Sequence, residues 1–286
     1  MNDITICRID NTNFKQAIFG IVHIFRDDDV VPWHKFDTCL EWVARRVERG
    51  FYITAAYDGD TIVGYSEWIE TYDYGKRLLY LGLMHVDCDI RSRGIGSAML
   101  ADGEKYAISI GASHLRTIPG DEYSHNFYRR YGFVDMDTIH HISVPASSKE
   151  ISYDETAPLT LHIVDTHNFI FGMTQSSGRH MYECANYQPE SSGSLAKTMV
   201  MQDGYLQFNY ARGTKTAWVL YWSNTIPTEQ TVATIRALGR EAGFEEIRFS
   251  FRARFNHLFD KCPRIIDQEM KEEDVELEKV IYSRSI

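Results

Sequence analysis

The sequence predicts a mixed α/β (α+β) protein in which one structural unit occurs twice. A hairpin is indicated by two strand-like segments, residues 51–57 and 61–69, on either side of a DGD turn. The apolar segment 78–86, LLYLGLMHV, is typical of a strand buried on both faces, and a helical pattern follows it. The order hairpin, strand with helix, strand, short helix and end strand is present in each half, which indicates a duplication.

Residues 1–147 are predicted to form the first domain. Alternating and helical patterns define its other elements. These are a strand over 4–9, helices from Phe14 and over 37–48, a strand over 114–118, a short helix over 123–131 and a strand over 133–144.

Residues 158–286 are predicted to form the second domain, after a polar, proline-flanked linker over 145–158. Its elements follow from the same patterns. They are a strand over 159–164, a Ser- and Gly-rich loop near 176–194, a hairpin over 205–210 and 216–222, a helix over 228–242, and strands over 246–254 and 275–282 with a short helix over 256–260 between them.

Composition narrows the function classes. The chain has 286 residues, with 30 Lys plus Arg against 40 Asp plus Glu, which gives a formal net charge of −10. A nucleic-acid partner calls for a basic face, so this balance argues against one and is compatible with a cationic substrate. The sequence has neither an apolar segment long enough to cross a membrane nor a secretory signal pattern, so we expect a cytoplasmic protein with no membrane partner.

The cysteines and histidines indicate no metal site. Five cysteines are widely spaced without a CxxC pair, which is typical of buried thiols in a reduced, intracellular protein. The adjacent His140 and His141 have no further ligands at metal-binding spacing. We therefore expect no metal cofactor.

One segment, residues 86–97, contains the pattern of a phosphate-binding turn. A buried strand leads into a glycine-containing turn that opens a helix. The first turn of a helix has unpaired N–H groups and a partial positive charge, which together bind anions such as phosphate. Gly94 and Gly96 allow close approach of the phosphate oxygens, and Arg91 and Arg93 add positive charge.

This segment resembles the acyl-coenzyme-A loop of the GCN5-related N-acetyltransferase (GNAT) family. The family signature Q/R-x-x-G-x-G/A is matched by Arg91, Gly94 and Gly96. The upstream pattern V-x-P-x-x-R is matched by Val86 and Arg91, with Cys88 where a proline is usual.

A second family motif, F-Y-x-x-x-G-F, resembles residues 127–133, and the resemblance covers about residues 1–145. It implies a mixed, mostly antiparallel central sheet with helices on both faces. It also implies acetyl-CoA as cosubstrate, whose pantetheine arm pairs with the backbone of residues 85–88. The residues that it assigns to cofactor binding are Val86, Cys88, Arg91, Arg93, Gly94, Ile95, Gly96, Ser97 and Asn126.

The resemblance further implies transfer of an acetyl group to a primary amine, with Tyr128 protonating the departing thiolate. A phenol has a pKa near 10 and a thiol one near 8.5, so the phenol can donate as charge develops on sulfur. A base must accept the proton of the amine. Glu67 and His85 are the leading candidates, and Glu70 and Asp87 remain open.

The second half resembles a degenerate copy. At the position of the phosphate turn it has residues 223–229 without R-x-x-G-x-G, and Pro227 and Glu229 oppose an anion site. We expect it to bind no cofactor. Trp33 and His34 are candidates for shaping the acceptor site.

Several alternatives stay open at this point. The acceptor could be a polyamine, an aminoglycoside, an amino acid or a protein N-terminus. The chain could act as a monomeric pseudo-dimer or as a homodimer. A non-catalytic acyl-CoA-binding or regulatory module is the alternative to an enzyme.

Overall fold

The computed structural model describes residues 4–27, 33, 35–73, 76–147, 168–172, 194–201, 204–223, 225–265 and 273–281. The chain divides into two compact units. Unit 1 comprises Met1–Glu70, Arg77–Leu115 and Val280–Ile286, and unit 2 comprises Thr71–Lys76 and Arg116–Lys279.

The elements of the first half follow the predicted order. They are β1 (Ile4–Ile9), α1 (Phe14–Ile24), α2 (Phe36–Glu48), β2 (Tyr52–Asp58), β3 (Thr61–Asp73), β4 (Lys76–Val86), a 3-10 turn (Cys88–Ile90), α3 (Ile95–Ser109), β5 (His114–Thr117), α4 (Glu122–Arg130) and β6 (Val134–Pro145). In unit 1, β2 pairs antiparallel with both β1 and β3, and β4 lies next to β3.

Helices cover both faces of the unit 1 sheet, as the resemblance implies. Side chains alternate along β3. Tyr65 and Ile69 pack in the apolar core formed with α1 and α2. Gly64 and Trp68, on the opposite face, lie against α3. A Cβ atom on Gly103 of α3 would lie 2.3 Å from the Trp68 ring, so this glycine allows the helix to approach the sheet closely.

The described elements of the second half are mostly strands. They are β7 (Asn168–Phe171), β8 (Ser194–Met201), β9 (Gly204–Ala211), β10 (Thr216–Ser223), α5 (Glu229–Glu241), β11 (Glu246–Arg252), a 3-10 segment (Ala253–Phe259) and β12 (Glu273–Val280). In unit 2, β8, β9, β10 and β7 form consecutive antiparallel pairs, and β6 pairs antiparallel with β11 and β12.

Unit 2 mixes strands from both halves of the sequence. β6 belongs to the first half, yet it lies between β11 and β12 of the second half. This pairing explains why the compact units do not divide between residues 147 and 158. The domains 1–147 and 158–286 stay a prediction about the duplicated sequence.

Acidic side chains of β12 pair with cationic or ionisable groups on other strands of unit 2. The Arg252–Glu276 pair is buried, with exposed side-chain fractions of 1% and 0%. The pairs are Glu273 with His140 (3.3 Å), Asp274 with His141 (3.1 Å), Glu276 with Arg252 (3.2 Å) and Glu278 with Arg116 (2.6 Å).

The structure adds two strands that the sequence reading missed, β7 and β8. Among the described strands β8 pairs only with β9, and as an edge strand it needs no strong apolar alternation. The predicted strand over 159–164 and the loop near 176–194 lie outside the described residues. The expectation of buried thiols holds for Cys39 but is wrong for Cys88, which is exposed.

We predict that Glu276→Gln lowers the free energy of unfolding by about 3–5 kcal/mol, because it removes the nearer of two carboxylates that face the buried Arg252 charge, the other being Asp137 at 3.9 Å. Urea unfolding measures the change. Glu229→Gln is the matched control, since Glu229 pairs with Lys261 at the surface and such pairs stabilise little. Equal stability of the two variants would contradict the prediction.

Candidate cofactor-binding site

The connection between β4 and α3 forms a solvent-exposed turn in unit 1. Residues 91–94 are exposed, whereas Ile95, the first residue of α3, is buried. Ser92 and Gly94 have φ angles of +67° and +83°, while Arg93 between them does not have a positive φ. Such alternation of backbone handedness turns successive N–H groups toward one concave side, which is how anion-binding nests are built.

The amino end of α3 is left open to solvent. Its N-cap is Gly94, no side chain caps the first turn, and the first turn contains no acidic residue. A Cβ atom on Gly94 would meet nothing within 4 Å. The first turn, with Gly96 and Ser97, therefore presents the positive end of the helix dipole behind an N-cap residue that has no side chain.

Packing fixes the amino end of α3 close to the sheet. Ile95 and Met99 form an apolar cluster with Ala56 and Val63. A Cβ atom on Gly64 would lie 3.1 Å from both Ile95 and Met99, so glycine at this position allows the close approach. The direction of the N–H groups in the first turn is thereby set by the β3–α3 contact.

The two arginines of the turn have different partners. Arg91 donates from Nε to the backbone oxygen of Val86, 3.3 Å away. Arg93 Nη1 lies 3.5 Å from Asp58 Oδ2. Both residues are exposed and add positive charge beside the turn.

The carboxyl end of β4 departs from regular alternation. Leu78 and Tyr80 pack in the core with α1 and α2, and Leu83 packs against the same core. Strict alternation would place Leu83 on the other face, so the alternation is interrupted between Tyr80 and Leu83. The interruption turns His85 toward α1.

β4 also continues beyond the length of its shorter neighbour. β5 starts beside Arg77, whose oxygen accepts from Ser113 N at 3.0 Å. β5 has four residues, whereas β4 has eleven. The last residues of β4, up to Val86, therefore extend past β5.

His85 is held by the carboxyl end of α1. Its ring stacks on Phe25 with 4.2 Å between centroids, and Nε2 lies 2.9 Å from the backbone oxygen of Ile24. A carbonyl can only accept, so Nε2 carries the hydrogen of the neutral ring, and the basic lone pair is on Nδ1.

Glu67 is buried inside unit 1, with 1% of its surface exposed. Oε2 accepts from Arg46 Nε at 3.2 Å, and Oε1 accepts from the Tyr65 hydroxyl at 2.8 Å. Burial, followed by the Glu67 charge, raises the pKa of Tyr65 well above its ordinary value. Both carboxylate oxygens are thus engaged, which favours a structural role for Glu67.

Tyr128 lies on α4 in unit 2. A capping box fixes the start of this helix, because Asp121 accepts from Ser124 N at 2.7 Å and Ser124 Oγ accepts from Asp121 N at 3.1 Å. The Tyr128 phenol is 6% exposed and hydrogen-bonds the Thr117 side chain. Burial raises the pKa of Tyr128, so the hydroxyl keeps its proton at neutral pH.

The helix separates Asn126 from Tyr128. Two residues correspond to about 200° of rotation, so these side chains point to opposite sides of α4. Asn126 is exposed and Tyr128 is buried. Asp121 and Ser124 share the Tyr128 side, and the contact of Asn126 with the cosubstrate stays a prediction.

The start of the turn contains a cluster that the sequence reading missed. The ligand atoms of Asp87, Cys88 and Asp89 lie within 4.8 Å of one another. Arg26 Nη1 and Nη2 donate to the two Asp87 carboxylate oxygens at 3.2 and 3.1 Å, and Nη2 also contacts Asp89. The guanidinium supplies the positive charge that a bound cation would otherwise supply, so the cluster does not indicate a metal site.

Trp33 belongs to the core of unit 1 and is only 6% exposed. Its ring stacks on Phe25 with 5.1 Å between centroids. This packing argues against direct contact with an acceptor. His34 lies outside the described residues.

The corresponding region of the second half, within unit 2, is filled by the chain itself. β10 pairs in parallel with β11 only over Thr216–Trp218. Farther along, β10 pairs with β7 instead, and β7 also contacts β11 through Phe171 and Phe251. Phe171 is fully buried. β7 therefore occupies the space between the diverging strands.

The amino end of the helix that follows β10 is capped by a side chain. Thr228 caps α5 by accepting from Thr231 N at 3.3 Å, and Glu229 lies in the first turn. A capped, acidic helix start opposes anion binding. These features support the prediction that the second half binds no cofactor.

Among the described residues, no helix combines the length and apolarity that crossing a membrane requires.

Comparison with known proteins agrees with this arrangement. The model of the Acetyltransferase (GNAT) family matches residues 18–133. The fold is similar to a GCN5-related N-acetyltransferase from Kribbella flavida, with 14% identity, a TM-score of 0.62, and coverage of 98% of this chain and 72% of that chain. It is also similar to one from Anabaena variabilis, with 10% identity, a TM-score of 0.63, and coverage of 98% and 73%.

A tandem GNAT protein from the clavulanic acid biosynthesis pathway covers both halves, with 11% identity, a TM-score of 0.54, and coverage of 99% of this chain and 100% of that chain. Structural similarity at these low sequence identities establishes a shared fold. The mixed, mostly antiparallel α/β fold and the resemblance predicted from the motifs are both confirmed. Residues 18–133, including the open turn between β4 and α3, match the model of the acetyltransferase (GNAT) family.

Proposed function

We propose that the protein is an N-acetyltransferase that uses acetyl-CoA to acetylate a primary amine. The observation that carries this proposal is the uncapped start of α3 behind Ser92 and Gly94. This arrangement fits a diphosphate, because N–H groups and the helix dipole act on the same side. Val86, Cys88 and the segment Arg91–Ser97 would hold the cosubstrate.

We predict that Gly96→Glu abolishes binding of CoA, because a carboxylate would occupy the anion site. Gly96→Gln has similar bulk without charge, so it should retain measurable affinity. Isothermal titration calorimetry with CoA compares the two variants with the unsubstituted protein. Unchanged affinity of Gly96→Glu would refute this placement of the site.

In the proposed reaction the amine nitrogen attacks the thioester carbonyl, the C–S bond breaks, and the thiolate takes a proton from Tyr128. The raised pKa of the buried phenol keeps this proton in place until charge develops on sulfur. The proton of the amine passes to a base, directly or through water.

We predict that Tyr128→Phe lowers kcat roughly 10²- to 10⁴-fold with little change in the KM for acetyl-CoA, because general acid catalysis is lost. Release of CoA thiol in the presence of the acceptor measures the rate. Tyr123→Phe, an exposed residue of the same helix, is the control. Equal rates for the two variants would exclude Tyr128 as the acid.

For the base, the geometry favours His85 over Glu67. The Ile24 carbonyl orients the His85 ring, whereas Glu67 is occupied by Arg46 and Tyr65. We predict that His85→Gln removes the acidic-side inflection from the pH profile of kcat/KM. Glu67→Gln should keep that inflection and instead lower stability by about 3–5 kcal/mol. The reverse result would assign the base to Glu67.

An acceptor screen separates the enzyme from the alternative of a non-catalytic acyl-CoA-binding module. The acidic net charge favours small cationic amines as first candidates. If CoA binds but no amine raises thiol release, the binding module is the better description. Sedimentation of the same sample distinguishes a monomeric pseudo-dimer from a homodimer.

A further inference from the structure

We propose that Arg26 is a positioning residue for the cosubstrate: it fixes the end of β4 and offsets part of the negative charge of the carboxylates beside the anion-binding turn. This inference rests on the proposed function and extends it to a residue outside both family motifs. Arg26 follows the carboxyl end of α1, and it is distant in sequence from the turn.

The guanidinium is fixed from several directions. Nη1 donates to the backbone oxygen of His23 at 3.1 Å and to Asp87 Oδ2 at 3.2 Å. Nη2 donates to Asp87 Oδ1 at 3.1 Å and to Asp89 Oδ2 at 2.5 Å. A planar fork that binds both oxygens of one carboxylate is a geometry that lysine cannot reproduce.

Asp87 transmits this fixation to the backbone of the turn. Its N–H donates to Val63 O at 3.1 Å, which ties it to β3. Its carboxylate also accepts from Asp89 N at 3.2 Å, and its backbone oxygen accepts from Ile90 N at 3.1 Å. Asp87 is buried, so loss of Arg26 would leave a buried carboxylate without its cation.

The same contact has an electrostatic consequence for an anionic ligand. Asp87 and Asp89 precede the turn by only a few residues, and Arg26 contacts both carboxylates. Burial acts to raise the pKa of Asp87, but hydrogen bonds from Arg26 and the Asp89 amide outweigh it and lower the pKa. Without the guanidinium, the two carboxylates would repel a diphosphate.

Neighbouring contacts connect the same helix end to the candidate base. Ile24 and Phe25, which precede Arg26, hold His85 by a backbone oxygen and a stacked ring. Three consecutive residues therefore fix the carboxyl end of β4 and the segment after it. Substitution of Arg26 alone leaves the Ile24 and Phe25 contacts in place, so its effect should fall mainly on cosubstrate binding.

The first experiment measures CoA affinity by calorimetry for the unsubstituted protein, Arg26→Lys and Arg26→Ala. We expect at least a tenfold weaker affinity for Arg26→Ala and an intermediate value for Arg26→Lys, which keeps the charge but loses the fork. The KM of both variants for acetyl-CoA should rise in the same order. Their kcat at saturating acetyl-CoA should stay within twofold of that of the unsubstituted protein. Lys215→Ala, which removes an exposed ion pair in the second half, is the control. An affinity of Arg26→Ala within twofold of the unsubstituted protein would overturn the proposal.

Charge removal distinguishes positioning from a general loss of structure. In the Arg26→Ala background, Asp87→Asn together with Asp89→Asn should restore at least part of the CoA affinity, because the repulsion is gone. High salt should also reduce the difference in CoA affinity between Arg26→Ala and the unsubstituted protein, since it screens that repulsion. If neither the two Asp→Asn substitutions nor high salt reduces this difference in CoA affinity, the electrostatic part of the proposal is wrong.

A ligand-free measurement separates this inference from the proposed function. Amide hydrogen exchange over residues 87–97 should be faster in Arg26→Ala than in Lys215→Ala. If the unsubstituted protein binds no CoA, the proposed function fails, and the exchange result alone decides whether Arg26 fixes the turn. Equal exchange in both variants would overturn the positioning claim.

Discussion

The packing of Ile95 and Met99 against β3 is the contact on which the candidate site depends. The N–H groups at the start of a helix can bind an anion only if the helix end is fixed and no side chain has already satisfied them. Gly64 allows the close approach, and Gly94 opens the helix without offering a cap. Burial of two apolar side chains thus fixes the direction of polar groups at the surface.

The two halves of the chain use similar elements to opposite effect. In the first half the helix after the long strand begins uncapped, without an acid in its first turn. In the second half the equivalent helix is capped by Thr228 and carries Glu229, and β7 fills the space between β10 and β11. The difference is local, because a few capping residues and one inserted strand satisfy the groups that the first half leaves open. The second half is accordingly built for packing, with Phe171 at the centre of its aromatic core.

Buried charge is paired throughout the described parts of both units, and this bears on which residues can do chemistry. Arg46 with Glu67, and Arg252 with Glu276, are nearly inaccessible pairs. Such groups are costly to separate and are poorly placed for proton transfer with a substrate. Two adjacent acids beside the turn are matched by a single arginine, Arg26, in a partly exposed position. A partly exposed ion pair of this kind can respond to a bound ligand more readily than the buried pairs can.

The sequence by itself determined the local elements and the motif. Alternation, helical period and the DGD turn predicted most strands and helices, and R-x-x-G-x-G marked the turn, because these signals depend on neighbours along the chain. Only the tertiary structure decided what depends on distant residues. It buried Glu67 against Arg46, brought Arg26 to Asp87, and placed β6 between β11 and β12. Each of these follows from contacts between segments far apart in the chain, and such contacts leave no periodic trace in the sequence.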